Sequence, residues 1–169
     1  PVDFLCYVSE REYPLSGGPT CLCKTVFDRQ LLQYACALLG AISFRGIAML
    51  DFKGTLERPC LLEINPRLWG SAALAEVSGA TFFESYVQAA LGQAQPLDLE
   101  TCTPRYRLDA RMKFMPHCFM AAAAELKQGK AGAALHDLSN SLRPGVRDGV
   151  YRRGDSAPFR RYAGNLLKK

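Results

Sequence analysis

The sequence predicts an α+β fold in which a mainly antiparallel sheet is flanked by helices on one face. Short apolar runs typical of strands alternate with segments of helical periodicity. Two of the strand-like runs, 44–54 and 60–65, are separated by a short turn, which is typical of an antiparallel hairpin. The length of 169 residues is enough for one domain with its own core and an appendage.

The first part of the chain is predicted to contain two strands, a loop and a helix. Asp28 is suited to cap the N-terminus of the helix, and Gly40 is expected to follow its last turn as the C′ residue. In chain order, the elements are a strand at 2–8, a loop rich in glycine and proline at 11–20, a strand at 21–27 and a helix at 29–40.

The segments after the hairpin are predicted to be mainly helical. Ser71 is expected to cap a short helix that Gly79 ends. Thr81 and Glu84 have the spacing of a capping box for a second helix, which Gly92 ends. A polar connection at 93–104, a strand at 105–115, a helix with Pro116 in its first turn and mostly irregular structure from residue 130 are expected to follow.

The hairpin carries three oxygen-bearing side chains that strand geometry brings together. Glu63 and Asn65 are two residues apart and share one face of their strand, whereas Leu62 should point to the opposite, buried face. If the turn is symmetric about Glu57, Asp51 lies directly opposite Glu63, and directly paired residues share a face. The spacing therefore predicts one cluster formed by Asp51, Glu63 and Asn65.

Such a cluster is suited to a hard divalent cation. Two neighbouring carboxylates repel each other unless a cation lies between them, and oxygen ligands suit Mg²⁺ or Mn²⁺. Arg67 follows just beyond Pro66, and its planar fork matches phosphate or carboxylate oxygens. The alternative is a half-exposed hairpin whose outer face is simply polar.

Composition excludes several other classes of function. No apolar run approaches the roughly 20 residues needed to cross a bilayer, and the N-terminus lacks a basic-then-apolar leader. The formal net charge is +5, with arginines concentrated towards the C-terminus, but no recognisable nucleic-acid-binding motif accompanies them. The seven cysteines include no CxxC pair, and the Cys21–Cys23 pair has no second pair to complete a zinc site. We therefore expect free thiols in a reducing cytoplasm, and we favour a solvated basic surface over the alternative of a nucleic-acid-binding tail.

The hairpin and the residues that follow it resemble a known superfamily. The segment "DF" followed by "LLEINPRLWGSAALAEVSGATFFESYVQAALG" is similar to the C-terminal lobe of ATP-grasp enzymes, in the branch of the carbamoyl-phosphate synthetase large chain. The upstream segments "REYPLSGGPT" and "DRQLLQYACALLGAISFRG" extend the resemblance to residues 8–92. It implies that residues 1–100 form an ATP-grasp C-terminal lobe and that residues 101–169 are an extension of unknown role.

The resemblance also implies roles for particular residues. Asp51 and Glu63 would bind magnesium, with Glu63 bridging two ions and Asn65 binding the second. Arg67 would contact the transferred phosphate, as both a catalytic and a nucleotide-binding residue. Two glycines, Gly17 and Gly18, would approach the nucleotide closely. Asp51 stands where a longer Glu or Gln is common, so a water could bridge it to the metal.

The implied activity is ligation of a small carboxylate to an amine or thiol, dependent on ATP and Mg²⁺ (or Mn²⁺), through an acyl phosphate. An N-terminal ATP-grasp lobe, with its phosphate-binding lysines, would precede Pro1, so this chain alone should be inactive. The expected setting is the cytoplasm, without a membrane, and the chain could form a homodimer. The rival hypothesis is a degenerate, non-catalytic lobe kept as a binding or regulatory module.

Overall fold

A computed structural model describes residues 2–14, 16–55 and 57–166. The strands are β1 (Cys6–Glu12), β2 (Thr20–Val26), β3 (Met49–Thr55), β4 (Arg58–Asn65), β5 (Arg111–Lys113) and β6 (Arg147–Asp148). The helices are α1 (Arg29–Ala41), α2 (Leu74–Ser78), α3 (Phe82–Ala90), α4 (Met115–Lys127), α5 (Ala131–Ser141) and α6 (Ala157–Leu166). The predicted α+β class with mainly antiparallel sheets is confirmed.

The chain divides into two compact units. Unit 1 contains the residues up to Cys6 together with Val26–Leu108, and unit 2 contains Tyr7–Thr25 together with the residues from Asp109 onwards. The predicted division of the protein at residue 100 stays a prediction, and the compact units divide the chain at other positions. Among the described residues, no helix combines the length and the apolar character needed to cross a membrane.

Unit 1 is built around a small aromatic core. Phe4 stacks on Phe27 with a centroid distance of 5.6 Å and meets the edge of Tyr106 at 5.9 Å. Arg29 at the start of α1 donates to the carbonyls of Leu99, at 2.7 Å, and Cys102, at 2.9 Å. The polar connection predicted at 93–104 is therefore fixed to α1 by backbone carbonyls, which its composition does not reveal.

The start of α1 follows its prediction, but its end does not. The Asp28 side chain accepts a hydrogen bond from Leu31 N at 2.7 Å, as expected of an N-cap. The helix continues through Gly40 to Ala41, so the predicted C′ glycine is wrong. Ser43 instead adopts the left-handed conformation (φ 50°), and Phe44 N donates to Leu39 O at 2.9 Å, which closes the last turn.

The helices after the hairpin use tertiary contacts in place of the predicted caps. Gly79 ends α2 in the left-handed conformation (φ 77°), as predicted. α2 begins at Leu74 without a side-chain cap bond, so the Ser71 cap is wrong. Thr81 is the N-cap residue of α3, as predicted, but the capping box is wrong, because the Thr81 hydroxyl faces Asp3 Oδ2 at 3.4 Å and makes no capping bond. Asp3 accepts a shorter bond, 2.7 Å, from the Ser85 hydroxyl.

Unit 2 contains a four-stranded sheet in the order β1-β2-β5-β6. β2 pairs antiparallel with β5, and β5 pairs parallel with the two-residue β6. β2 is buried on both faces because Cys21, Leu22 and Cys23 are all inaccessible to solvent or nearly so. Cys21 and Leu22 pack with Cys118 and Ala121 of α4.

Two strand predictions in this sheet need correction. β1 begins at Cys6 and continues to Glu12, rather than occupying 2–8. The strand predicted at 105–115 shrinks to Arg111–Lys113, because Asp109 adopts a left-handed conformation (φ 56°) that interrupts extended structure. Pro116 lies in the first turn of α4, as predicted, whereas the mostly irregular structure expected from residue 130 contains the helices α5 and α6.

Candidate metal and nucleotide site

The β3–β4 hairpin places Asp51 directly opposite Glu63, as predicted. The turn of the hairpin, however, is not symmetric about Glu57 as the prediction required. Thr55 pairs with Arg58, so the ladder closes between these two residues. A β-bulge then shifts the register by one residue between Phe52, which pairs with Leu61, and Asp51.

The bulge makes Leu62 the extra residue of β4. Leu62 was expected to point into a buried face, but it is 52% exposed. Without the bulge, continuation of the Phe52–Leu61 register would have placed Leu62, not Glu63, opposite Asp51. The register shift therefore lets this sequence bring Asp51 and Glu63 onto one face.

The two faces of the hairpin differ sharply in chemistry, because paired residues share a face and successive pairs alternate. One face, here called the polar face, carries the side chains of Met49, Asp51, Lys53, Thr55, Arg58, Cys60, Glu63 and Asn65. All of these are exposed except Met49 and Asn65, which are half-buried. The opposite face carries Leu50, Phe52, Pro59, Leu61 and Ile64, which are all partly buried.

Glu63 and Asn65 meet on the polar face. The amide nitrogen of Asn65 donates to Glu63 Oε1 at 2.7 Å, which shows that the two side chains point the same way. This bond uses the nitrogen of Asn65 and leaves its amide oxygen, the atom that binds metals. Asn65 itself pairs with Met49, which is the next pair on the same face from Asp51–Glu63 towards the base of the hairpin.

Arg67 lies just past the end of β4. Its backbone N–H donates to Asn65 O at 2.9 Å, a turn that begins at the last residue of the strand. Its guanidinium Nη1 donates to Leu68 O at 3.1 Å, and the side chain is exposed. Among the residues that the structure describes, this is the bond that the guanidinium makes, and the side chain remains exposed.

Trp69, two residues further on, is 8% exposed and packs edge-to-face on Phe82 with a centroid distance of 5.6 Å. Core packing, one of the two roles considered for this tryptophan, is therefore present. Its buried indole N–H has no hydrogen-bond partner among the described residues. Its contribution to an acceptor pocket stays a prediction.

The loop predicted at 11–20, which carries Gly17 and Gly18 and is here called the glycine loop, belongs to unit 2. The hairpin belongs to unit 1. Gly17 has φ 116°, and no described residue other than its chain neighbours lies within 4 Å of its Cβ position. Gly18 has a role within the loop itself, because a Cβ there would lie 2.5 Å from Tyr13 O. The requirement for glycine at Gly18 is therefore explained without a nucleotide.

The donor set of the polar face fits magnesium. Two carboxylates and one amide oxygen are hard ligands, and Mg²⁺ commonly binds one or two carboxylates while keeping water or phosphate oxygens in its other positions. Within the part of the chain that the structure describes, no group of three or more His, Cys, Asp or Glu side chains is arranged to hold a metal. The hairpin would thus supply part of a coordination shell.

All seven cysteines are free thiols, as expected, and the Cys21–Cys23 pair is fully buried. Burial raises the pKa of Cys23 to about 12, which keeps this thiol protonated. The hydrogen-bonding interaction with the Cys118 thiol, together with burial, raises the pKa of Cys21 as well. These thiols are packing residues of unit 2 in the form described.

Comparison with known proteins identifies the class of this chain. Residues 10–113 match the family model described as ATP-grasp in the biosynthetic pathway with Ter operon. This range includes the glycine loop, α1, the hairpin and the two helices after it. Comparisons with curated proteins and with solved structures each found no match.

The chain belongs to the ATP-grasp superfamily, and within it to this Ter-operon-associated family. The predicted resemblance is therefore confirmed. Membership means that the chain carries an ATP-dependent, ligase-type domain, and proteins of this superfamily generally use ATP and Mg²⁺.

Two cations of the polar face, Lys53 and Arg58, were not grouped with the oxygen ligands in the prediction from the sequence. Lys53 is two residues from Asp51 in the same strand, so the alternation that grouped Glu63 with Asn65 also places Lys53 beside Asp51. Arg58 could not be placed in this way, because the bulge changes the alternation between Arg58 and Glu63. Only the register of the folded hairpin shows that it shares their face.

Proposed function

We propose that this chain supplies the metal-binding hairpin of an enzyme that ligates a small carboxylate to an amine or thiol. The single observation that carries the proposal is the pairing of Asp51 with Glu63, with Asn65 on the same face. In an ATP-grasp family member, oxygen ligands on neighbouring strands are suited to hold Mg²⁺ against a triphosphate. Mg²⁺ or Mn²⁺ would neutralise phosphate charge during transfer.

The residues of the chain would act mainly by positioning and electrostatics. In the first step the γ-phosphoryl group of ATP is transferred to a carboxylate oxygen, giving an acyl phosphate and ADP. In the second step the amine or thiol attacks the acyl carbon and phosphate leaves. Arg67 would hold phosphate oxygens through the exposed part of its fork in both steps.

The binding of ATP would also require the predicted N-terminal lobe. Of the two glycine candidates in unit 2, Gly17 is the better one for close approach to a nucleotide, because no described residue other than its chain neighbours lies within 4 Å of its Cβ position. The identity of the carboxylate and of the acceptor is not specified by any of these residues. A cytoplasmic setting and a homodimer remain part of the proposal.

Replacement of Glu63 by glutamine tests the function directly. In the intact protein, Glu63→Gln should lower ATP turnover by at least about 100-fold, because the shared charge that holds the cation is lost. Far-ultraviolet circular dichroism should be unchanged, since the side chain is exposed. Glu84→Gln, at an exposed glutamate of α3, is the matched control and should leave turnover unchanged. Normal turnover by Glu63→Gln would refute the proposed role.

The rival function is a non-catalytic module derived from the same lobe. One observation favours it, namely the short Asp51 at a position where the superfamily commonly has a longer side chain. A module of this kind would show no ATP turnover in the intact wild-type protein. It would also retain binding to its partner after Glu63→Gln, whereas the ligase hypothesis requires turnover that this variant abolishes.

A further inference from the structure

Two cations lie on the polar face next to the proposed metal ligands. From the pair Asp51–Glu63 towards the tip of the hairpin, the next pair on the same face is Lys53 with Cys60. The pair of Arg58 with Thr55 follows beyond it. Same-face neighbours along a strand are about 7 Å apart. Lys53, on its flexible stem, therefore lies within reach of any group bound between Asp51 and Glu63.

Lys53 is exposed and makes no ion pair with any described residue, although two carboxylates lie one same-face step away. Without a metal, the charges of Lys53 and Arg58 balance those of Asp51 and Glu63. A divalent cation bound by the carboxylates would make the face positive from its base to its tip. A positive surface beside a metal is suited to a polyphosphate.

Arg67 and Lys53 lie on opposite sides of the proposed metal ligands along the hairpin. Arg67 follows the base of β4, whereas Lys53 is on the side of the tip. We propose that Lys53 binds the phosphate groups of metal-bound ATP on the tip side, while Arg67 holds those on the base side. This inference rests on the proposed function, because it needs the metal that Asp51 and Glu63 would hold.

The test measures binding of Mn²⁺ alone and of Mn²⁺ with a non-hydrolysable ATP analogue in the intact protein. Electron paramagnetic resonance reports the metal, and calorimetry reports the nucleotide. Lys53→Gln should weaken binding of the metal–nucleotide about tenfold and leave binding of Mn²⁺ alone unchanged. Lys53→Arg should restore most of the loss. Lys127→Gln, at an exposed lysine of α4, is the charge-matched control and should bind both ligands like the wild type.

The outcomes separate this inference from the proposed function. If Glu63→Gln loses Mn²⁺ while Lys53→Gln binds the metal–nucleotide like Lys127→Gln, the role of Lys53 is refuted and the proposed function stands. If Glu63→Gln binds Mn²⁺ and the metal–nucleotide normally, the proposed function fails and the inference fails with it. Equal loss of Mn²⁺ alone and of the metal–nucleotide in Lys53→Gln would also overturn the inference, since a phosphate contact acts only on the nucleotide.

Cys60 gives a second measurement that needs no variant of Lys53. It is the exposed member of the seven cysteines and lies directly opposite Lys53. Bound metal–nucleotide should slow alkylation of Cys60 by a maleimide several-fold, as followed by peptide mass spectrometry, while Mn²⁺ alone should not. An alkylation rate that the nucleotide does not change would place the phosphates elsewhere and overturn the inference.

Discussion

Asp148 shows how a single side chain organises a stretch of irregular backbone in unit 2. Its Oδ2 accepts a hydrogen bond from Met115 N at 3.0 Å, at the start of α4. Its Oδ1 accepts from Val150 N and Tyr151 N, both at 2.8 Å. The carboxylate thus satisfies two turn donors and one donor of a helix N-terminus, where a negative charge is also favourable.

Asp148→Ala should therefore reduce the free energy of unfolding by about 2–3 kcal/mol, because three backbone N–H groups lose a charged acceptor. Urea denaturation measures the change. Asp155→Ala is the matched control, since the side chain of that exposed aspartate accepts a 3.3 Å bond from Ala157 N, and its loss should cost less than about 1 kcal/mol. Equal losses for the two variants would contradict this account.

At the scale of single elements, the hairpin depends on the close approach of two backbone segments near its tip. Gly54 has φ 106°, and a Cβ there would lie 2.5 Å from Arg58 O. Both the conformation and the space therefore require glycine. Since the tip and the bulge together set the pairing of Asp51 with Glu63, this glycine also supports the candidate site.

Gly54→Ala should lower the free energy of unfolding by at least about 2 kcal/mol, because the strained conformation and the overlap with Arg58 O add together. Gly40→Ala is the opposite case: Gly40 lies within α1 with nothing around its Cβ position, so alanine should stabilise the chain by up to about 1 kcal/mol. Thermal unfolding of the two variants should thus shift in opposite directions. A neutral Gly54→Ala would show that the hairpin tip can rearrange.

Helix α6 is joined to α4 through an aromatic and histidine contact. A hydrogen bond links the Tyr162 hydroxyl to His117 Nδ1, and the Tyr162 ring also packs near Phe114. Burial lowers the pKa of His117 from its ordinary value of 6.5. Burial also raises the pKa of Tyr162 to about 12, so the tyrosine stays neutral at physiological pH.

The lowered pKa of His117 makes stability dependent on pH. Because the unfolded chain binds a proton on this imidazole more readily than the folded chain, stability should fall as the pH drops below about 6.5. His117→Gln should flatten this decline in denaturation measured between pH 7 and pH 5. His136→Gln, at a side chain that is 71% exposed, is the matched control, and the flattening should be larger in His117→Gln than in this variant. An unchanged slope in His117→Gln would remove this histidine as the cause.

At the scale of the whole molecule, each compact unit has its own core, and that of unit 2 includes a buried ion pair. Arg11 of β1 pairs with Glu125 of α4, whose side chain is 4% exposed, and Arg11 Nε is 2.9 Å from Asp137 Oδ2 of α5. Glu125 Oε2 has no hydrogen-bond partner among the described residues. The pair therefore joins three elements without satisfying all of its polar atoms.

Loss of one member of this pair should be more costly than loss of both. Glu125→Leu should destabilise the chain by about 2 kcal/mol, less than a fully buried pair would lose, because Arg11 keeps Asp137 and is 23% exposed. The double variant Arg11→Met with Glu125→Leu should recover part of that loss, since neither charge of the pair remains, although Asp137 then loses Arg11. Denaturation of the single and double variants forms the measurement. A double variant less stable than Glu125→Leu would show that the contact of Arg11 with Asp137 outweighs the cost of leaving Arg11 without Glu125.

Features that depend on neighbouring residues could be predicted from the sequence. The Asp28 cap, the left-handed Gly79 and the position of Pro116 each follow from one turn of helix and were found as expected. The cap proposed for Ser71 and the capping box proposed for Thr81 were wrong, because Thr81 faces the distant Asp3 and α2 begins later than its pattern suggests. A local pattern cannot include a partner 78 residues away.

The sequence by itself determined that Asp51, Glu63 and Asn65 could share a face, since strand alternation acts within a few residues. Only the tertiary structure decided how they do so, through a bulge at Leu62 and a ladder closed between Thr55 and Arg58. It also decided that Lys53 and Arg58 join the same face. The physical reason is that side-chain direction along one strand is fixed by local backbone geometry, whereas register is fixed by the hydrogen bonds and packing of two strands together.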